Sequence, residues 1–174
     1  MPLLKLSIDK KVTYADGQSF GKTGPYLWLE WTAYFAVDPL SRVNKNIVDI
    51  ELGPLDHDGK VRFSSHFTML RPSNPDKGNR SVLFDVVNRG NKTAFKNFNS
   101  GNPNQEPTEP LEPGNGFLMR HGYTIVWCGW QADLPSKTGL MGMHAPQATG
   151  PDGHLTGKIL CWYQVDRPTK IMTV

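Results

Sequence analysis

Two nearly continuous apolar runs constrain the fold of this chain more than any other feature. They read VLFDVV at residues 82–87 and YTIVWC at residues 123–128. Strands that are covered on both faces have this composition, and parallel sheets are their usual location. Residues 88–122, between the runs, are numerous enough for a crossover connection. The sequence therefore predicts two parallel strands that lie side by side.

The residues before these runs predict antiparallel strands. Residues 26–37 are dense in aromatic and β-branched side chains and favour a strand over a helix. A second strand is predicted at residues 47–52, and a third at residues 61–69 is expected to lie antiparallel to it. Residues 158–165 predict a last strand. Alternation assigns the core side of the first strand to Leu27, Leu29, Trp31, Ala33, Phe35 and Val37, and that of the third to Val61, Phe63, Phe67 and Met69.

One short helix and two long loops complete the expected domain, which spans residues 1–174. The helix is predicted around residues 116–119, with Asn115 as its N-cap and Gly122 just beyond its end. Residues 99–115 and 132–156 are rich in Pro and Gly and predict loops. The expected fold class is thus α/β and rich in β-structure, with antiparallel entry strands followed by parallel strands.

Charge and hydropathy exclude several classes of protein. The net charge is only +3 and the basic residues are scattered, which argues against a nucleic-acid-binding surface. No apolar run is long enough to span a bilayer, so no membrane partner is expected. The first residues, MPLLKLSIDKKV, show no signal peptide, and the default expectation is a cytoplasmic protein. Cys128 and Cys161 are interpreted as reduced thiols, with a bridge left open if their strands pair.

Polar, glycine-bearing stretches follow both apolar runs. Ligands of parallel sheets gather beyond the carboxyl ends of the strands, so these two stretches are the candidate rim of a pocket. The simpler alternative is that residues 88–91 form only a turn, in which Gly90 and Asn91 tolerate positive φ. The candidate site residues are Asn88, Arg89, Gly90, Gly129, Trp130 and Gln131.

Several motifs resemble the N-terminal part of a family of large α/β-hydrolase-domain proteins. They include FGKTGPY at residues 20–26, the block at residues 46–72, VVNRG at residues 86–90 and GFLMRHGYTIVWCGWQADL at residues 116–134. The most specific pieces are NRG after the first apolar run and the GY…W.GWQ.D pattern around the second. The matching pieces cover most of the chain.

This resemblance implies an incomplete serine-hydrolase-like sheet. In such a fold the loop after the third strand supplies an N–H group to an oxyanion hole, and the nucleophile follows on a G-x-S-x-G turn. By order along the chain, Asn88, Arg89 and Gly90 occupy the oxyanion loop. No serine here lies in a G-x-S-x-G frame; the serines are at positions 7, 19, 41, 64, 65, 73, 81, 100 and 136.

The chain is therefore interpreted as the N-terminal portion of a serine hydrolase, inactive alone. The complete protein would act on a small ester or amide, without cofactor or metal. Arg89 would either contact the substrate or anchor its loop by pairing with a carboxylate such as Asp133. Because the parallel strands would lack covering helices and leave an open edge, self-association is expected.

Two alternatives compete with this interpretation. A carbohydrate-binding or purely structural β-module is suggested by five tryptophans, of which Trp28 and Trp130 are the candidate stacking platforms while Trp31 and Trp127 are assigned to the core. Residues 56–58 (DHD) and 141–144 (MGMH) contain metal-ligand types, but a hairpin turn and a flexible loop explain them better.

Overall fold

A computed structural model describes residues 3–102, 111–135, 139–158, 160, 162, 164 and 167. Its longer strands are β1 (Leu3–Thr13), β2 (Tyr26–Val37) and β3 (Val61–Pro72), followed by the shorter β4 (Val82–Val86) and β5 (Thr124–Cys128). Three two-residue strands come last: β6 (Met143–His144), β7 (Thr149–Gly150) and β8 (Gly153–His154). Two short helices, α1 (Ala94–Phe98) and α2 (Phe117–Arg120), lie between β4 and β5.

The main sheet is mixed and open, with six strands. Its order is β1-β2-β3-β5-β4, and β6 pairs with β3 beyond the end of β5. The first three strands are antiparallel neighbours, whereas β4 and β5 are parallel from Val82↔Thr124 to Val86↔Cys128. The predicted parallel pair and the antiparallel entry are thus confirmed, and β4 lies at an edge of the described sheet.

The strand predicted at residues 47–52 is wrong. Asp49 is left-handed at φ +56°, and a single 3₁₀ turn follows at Ile50–Leu52. Ile50 is buried with Val37 and Val61 in a small cluster at one end of the sheet. The apolar residues that suggested a strand therefore belong to a local turn. The strand that pairs with β3 along its whole length is β2.

The main core lies on the opposite face of β2 from the predicted one. Trp28 is fully buried, stacks on Tyr14 at 5.9 Å between ring centroids and meets Trp127 at 5.7 Å. In β3 the most buried side chain is likewise Leu70, the direct partner of Trp28. Both faces of β2 carry aromatic side chains, so alternation could not decide which face of this strand the helices cover. The placement of Trp28 removes it as a stacking platform, while Trp127 is in the core as predicted.

The second face of β4 is exposed, whereas Val126 of β5 on the same face is buried. Val82, Phe84 and Val86 are 63%, 53% and 62% exposed. Leu6 and Ile8 of β1 are exposed as well. In the described part of the chain, β4 therefore lacks a covering helix on this face, as expected, because both helices of the crossover contribute buried residues only to the core around Trp28.

The helix before β5 begins one residue later than predicted. Gly116, at φ +70°, is the N-cap residue, and Asn115 still accepts a hydrogen bond from the Phe117 N–H at 2.9 Å. Residues 139–144 are also more ordered than the predicted loop, since Met141 is buried and Met143 pairs with Ser65.

The last predicted strand is not found in the residues that can be described. Lys158, Leu160, Trp162 and Gln164 belong to no strand, while residues 159, 161, 163 and 165 lie outside the described part of the chain. A pairing of Cys128 with Cys161 falls outside it for the same reason. None of the helices among the described residues has the length and apolar character needed to cross a membrane.

Candidate functional site

Residues 88–91 form a tight turn at the carboxyl end of β4. The Asn88 N–H donates to the Asn91 carbonyl at 3.0 Å, and the Asn91 N–H donates back to the Asn88 carbonyl at 2.9 Å. Arg89 and Gly90, in the middle, have φ of +49° and +82°. Two consecutive positive φ angles define a type I′ turn. The positive φ angles were expected at Gly90 and Asn91, so the expectation was wrong for Asn91, and Arg89 adopts one instead.

The Arg89 side chain anchors this turn to the segment that follows β5. Its Nη1 donates to Asp133 Oδ2 at 2.8 Å, and its Nη2 donates to the Asp133 backbone carbonyl at 3.2 Å. The guanidinium lowers the pKa of the Asp133 carboxyl, chiefly by its side-chain hydrogen bond. Both side chains are exposed, so the pair orients the loop more than it stabilises the fold. Arg89 therefore anchors the loop, which is one of the two roles predicted for it from the sequence.

Gly90 is enclosed by Leu134, Leu140 and Met141. Its carbonyl accepts a hydrogen bond from the Met141 N–H at 2.9 Å. A Cβ on Gly90 would lie 2.8 Å from Leu134 Cδ1 and 3.1 Å from Leu140 Cβ. The positive φ and the close packing both require glycine at this position.

Two of the turn's amide groups are not used within it. The N–H groups of Asn88 and Asn91 close the turn, whereas those of Arg89 and Gly90 have no acceptor among the described residues. Uncommitted backbone N–H groups are what an anion or an oxyanion requires. The turn therefore has the donors for such a role at the carboxyl end of a parallel strand.

The end of β5 is joined to the end of β4 through a tryptophan. The Trp130 indole N–H donates to the Val87 carbonyl at 2.8 Å, while its ring stays 53% exposed. The Gly129 N–H donates to the His66 carbonyl at 2.8 Å, and Gly129 packs against the backbone of Gly142. The two predicted rim stretches are thus neighbours in space.

Gln131 has one unusual atom. Its backbone carbonyl accepts from the Met143 N–H at 2.9 Å. Its side-chain Oε1 is buried and has no hydrogen-bond partner within the described ranges. A buried acceptor without a partner costs free energy, on the order of 1–3 kcal/mol. This cost distinguishes Gln131 from the other rim residues.

Asp85 is a central residue of the site that the sequence did not single out. Its carboxylate accepts hydrogen bonds from the Thr93 N–H, the Thr93 hydroxyl, the Ala94 N–H and the Trp127 indole N–H, at 2.6 to 2.7 Å. It caps the start of α1 and fixes the Trp127 ring at once. The only sequence signal was a lone acidic residue inside an apolar run.

Ser65 and Cys128 are the candidate nucleophiles that lie near the rim. Ser65 donates to the Gly129 carbonyl, and no serine hydroxyl in this part of the chain is bonded to an imidazole. Burial raises the pKa of the Cys128 thiol, against a smaller opposing effect of Ser65. A thiol in this state is a weak nucleophile at neutral pH.

Residues 56–58 form a hairpin turn, as predicted. The ligand atoms of Asp56, His57 and Asp58 lie within 4.8 Å of one another. Asp56 is occupied by the N–H groups of Asp58 and Lys60 and by Arg62. These donors, Lys60 foremost, lower the pKa of Asp56 to about 2. Turn geometry therefore explains the acidic pair.

Comparison with known proteins adds no relative: no family model, no curated protein and no solved structure matches this chain.

Proposed function

We propose that this chain is the N-terminal portion of a serine-hydrolase-like α/β protein that hydrolyses a small ester or amide. The support is the parallel pair of β4 and β5, with a polar turn after β4 held against the loop after β5. Such a rim, beyond the carboxyl ends of parallel strands, is where ligands of these sheets bind.

The observation that carries the proposal is the pair of uncommitted amides at Arg89 and Gly90. In acyl transfer to water, the carbonyl oxygen of the substrate becomes negatively charged in the tetrahedral intermediate. Preorganised N–H donors aimed at this oxygen are worth about 3–4 kcal/mol each in known hydrolases. The type I′ turn holds both amides rigidly, and the Arg89–Asp133 pair fixes its orientation.

Trp130 and Gln131 would form the wall of the pocket next to these donors. Trp130 keeps half of its ring exposed while its indole nitrogen is fixed to Val87. Gln131 Oε1 is a buried acceptor that has no hydrogen-bond donor among the described residues. An amide N–H or a hydroxyl group of a substrate would satisfy it.

The reaction needs a nucleophile that this chain does not supply in the G-x-S-x-G frame. A longer protein carrying the chain would place that serine on a later strand beside β4. The chain alone is expected to turn over no p-nitrophenyl ester.

A fluorophosphonate probe tests the proposal directly on the protein as cells produce it. The expected result is one labelled serine in the protein that carries this chain, at a position other than the nine serines of residues 1–174, identified by peptide mass spectrometry. Absence of any labelled serine, or ester turnover by residues 1–174 alone, contradicts the proposal.

The carbohydrate-binding alternative now depends on Trp130, since Trp28 is buried. Sugar binding by stacking would quench the fluorescence of Trp130 on addition of a polysaccharide. Saturable quenching that disappears in Trp130→Ala would favour this alternative over hydrolysis.

A further inference from the structure

A bulge in β1 turns a carboxylate toward the face that carries the main core. The register with β2 runs Ile8↔Trp31 and then Lys10↔Glu30, so Asp9 is the extra residue. Its carboxylate accepts a hydrogen bond from the Thr32 hydroxyl at 2.6 Å. Bulges commonly re-aim a side chain in this way, often next to functional sites.

This carboxylate borders a cavity of about 230 Å³. The volume is below the usual range of about 300–1,000 Å³ for drug-sized ligands, so only a small ligand fits. Thr32 and His66 are direct partners across β2 and β3, while Leu140 and Met141 come from the segment that encloses Gly90. The lining side chains used below are Asp9, Glu30, Thr32, His66, Leu140 and Met141.

The surroundings of the imidazole in this cavity lower its pKa and so favour its neutral form. Burial lowers the pKa of His66, and the nearby His144 and Lys92 lower it further, against the opposing effect of Asp9 and Glu30. The ring of His144 lies edge-on to that of His66 at 5.2 Å between centroids. In its neutral form, His66 offers the cavity one nitrogen lone pair and one N–H group.

Two carboxylates lie at the cavity, and that of Glu30 already accepts a hydrogen bond from the Trp28 indole N–H. Asp9 and Glu30 both carry carboxylates, and Thr32 commits its hydroxyl proton to Asp9. Lys10 lies 3.3 Å from Glu30 and partly balances its charge. The carboxylate of Asp9, turned in by the bulge and oriented by Thr32, is the group best placed to meet a cation.

We propose that this cavity binds a small ligand through a primary ammonium group, which donates hydrogen bonds to Asp9 and to the imidazole of His66. An ammonium ion has three donors and no acceptor, which matches a set of carboxylate and imidazole lone pairs. Leu140 and Met141 lie against its short carbon chain. The inference does not depend on acyl transfer, because none of the proposed oxyanion donors takes part.

Titration with ethanolammonium chloride, followed by ¹H–¹⁵N NMR of the full chain, tests the inference. Saturable shifts are expected for the amides of Thr32, His66 and Leu140. Ethylene glycol and sodium acetate, added at the same concentrations, control for polyol and anion binding and should cause no such shifts.

Matched variants assign the binding to Asp9. Asp9→Asn removes a charge-assisted hydrogen bond and should weaken binding on the order of tenfold. Asp76→Asn makes the same change at an exposed turn distant in sequence and should leave the affinity unchanged. Thr32→Val, which frees Asp9 from its orienting bond, should also weaken binding and serves as a second test if Asp9→Asn does not fold. Equal affinity in Asp9→Asn or Thr32→Val and wild type, or equal shifts with ethylene glycol, would overturn the inference.

Discussion

At the scale of single residues, Gly90 shows how a backbone requirement and a packing requirement coincide. Its φ of +82° costs a non-glycine residue about 1–2 kcal/mol, and the 2.8 Å approach of Leu134 Cδ1 to an added Cβ adds a steric overlap. Gly59, at φ +70°, has nothing within 4 Å of an added Cβ. A comparison of the two glycines therefore separates the cost of the positive φ from the cost of close packing.

We therefore predict that Gly90→Ala lowers the free energy of unfolding by about 2–4 kcal/mol. Gly59→Ala, the control, should cost only about 1–2 kcal/mol, because the positive φ is the only feature there that disfavours alanine. Urea denaturation followed by tryptophan fluorescence measures both. Equal losses in the two variants would show that the contacts of Gly90 with Leu134, Leu140 and Met141 are not formed.

Asp85 supports a second prediction at this scale. Asp85→Asn places an NH₂ group among four donors, so at least one of them loses its acceptor. A loss of about 2–3 kcal/mol is expected in the same denaturation experiment. Asp76→Asn should change stability by less than about 0.5 kcal/mol. A neutral Asp85→Asn would contradict the assigned role of Asp85 in capping α1 and fixing Trp127.

The lowered pKa of His66 leads to the prediction that the stability of the fold depends on pH. The pKa of His66 in the folded state lies below the ordinary value of 6.5, so the unfolded chain binds more protons between the two values. The free energy of unfolding should therefore fall as pH drops below about 6.5 and level off below the folded pKa. The lowered carboxyl pKa values of Asp56 and Asp133 act in a separate window at lower pH.

Urea midpoints between pH 5 and pH 8 measure this effect. The slope should be smaller in His66→Gln than in wild type, and it should persist in His57→Gln, whose side chain is exposed at the hairpin. An unchanged slope in His66→Gln would mean that His66 is not buried beside His144 and Lys92.

At the scale of elements, the sequence predicted the parallel pair because VLFDVV and YTIVWC differ in kind from the alternating runs before them. It failed at residues 47–52, where a left-handed Asp49 interrupts an apolar stretch that is too short to be distinguished from a turn. The sequence also predicted the wrong face of β2 for the main core. Aromatic residues lie on both faces of this strand, so the alternation of side chains does not show which face is buried. The contacts of Asp85 were out of reach, since they depend on where α1 begins.

The edge position of β4 supports a prediction of its own. In a strand with one neighbour, only the N–H groups that point toward β5 are hydrogen-bonded within the sheet. Hydrogen exchange in dilute solution should therefore protect every second amide of β4, while β3, flanked by β2 and β5, is protected throughout that span. Uniform protection of Val82–Val86 in a monomer would require a further strand beside β4.

At the scale of the whole molecule, one face of the sheet carries the main core, and the other is apolar and exposed along β4 and β1. Val82, Phe84 and Val86 of β4 share this open face with Leu6 and Ile8 of β1. Exposed apolar patches of this kind, next to an unpaired strand edge, favour association with another chain. The proposed hydrolase portion has the same requirement, because a parallel pair needs a second covering layer.

Sedimentation velocity across a hundredfold range of concentration is the most direct test of this open half-sheet. We predict that the wild-type chain self-associates as its concentration rises. The variant Phe84→Lys, changed on the exposed face of β4, should self-associate less. Leu40→Lys, at an even more exposed position outside the sheet, should behave as wild type. A wild-type chain that stays a compact monomer throughout the range, with a cooperative melt, would contradict the claim that β4 lacks a covering layer and a second neighbouring strand.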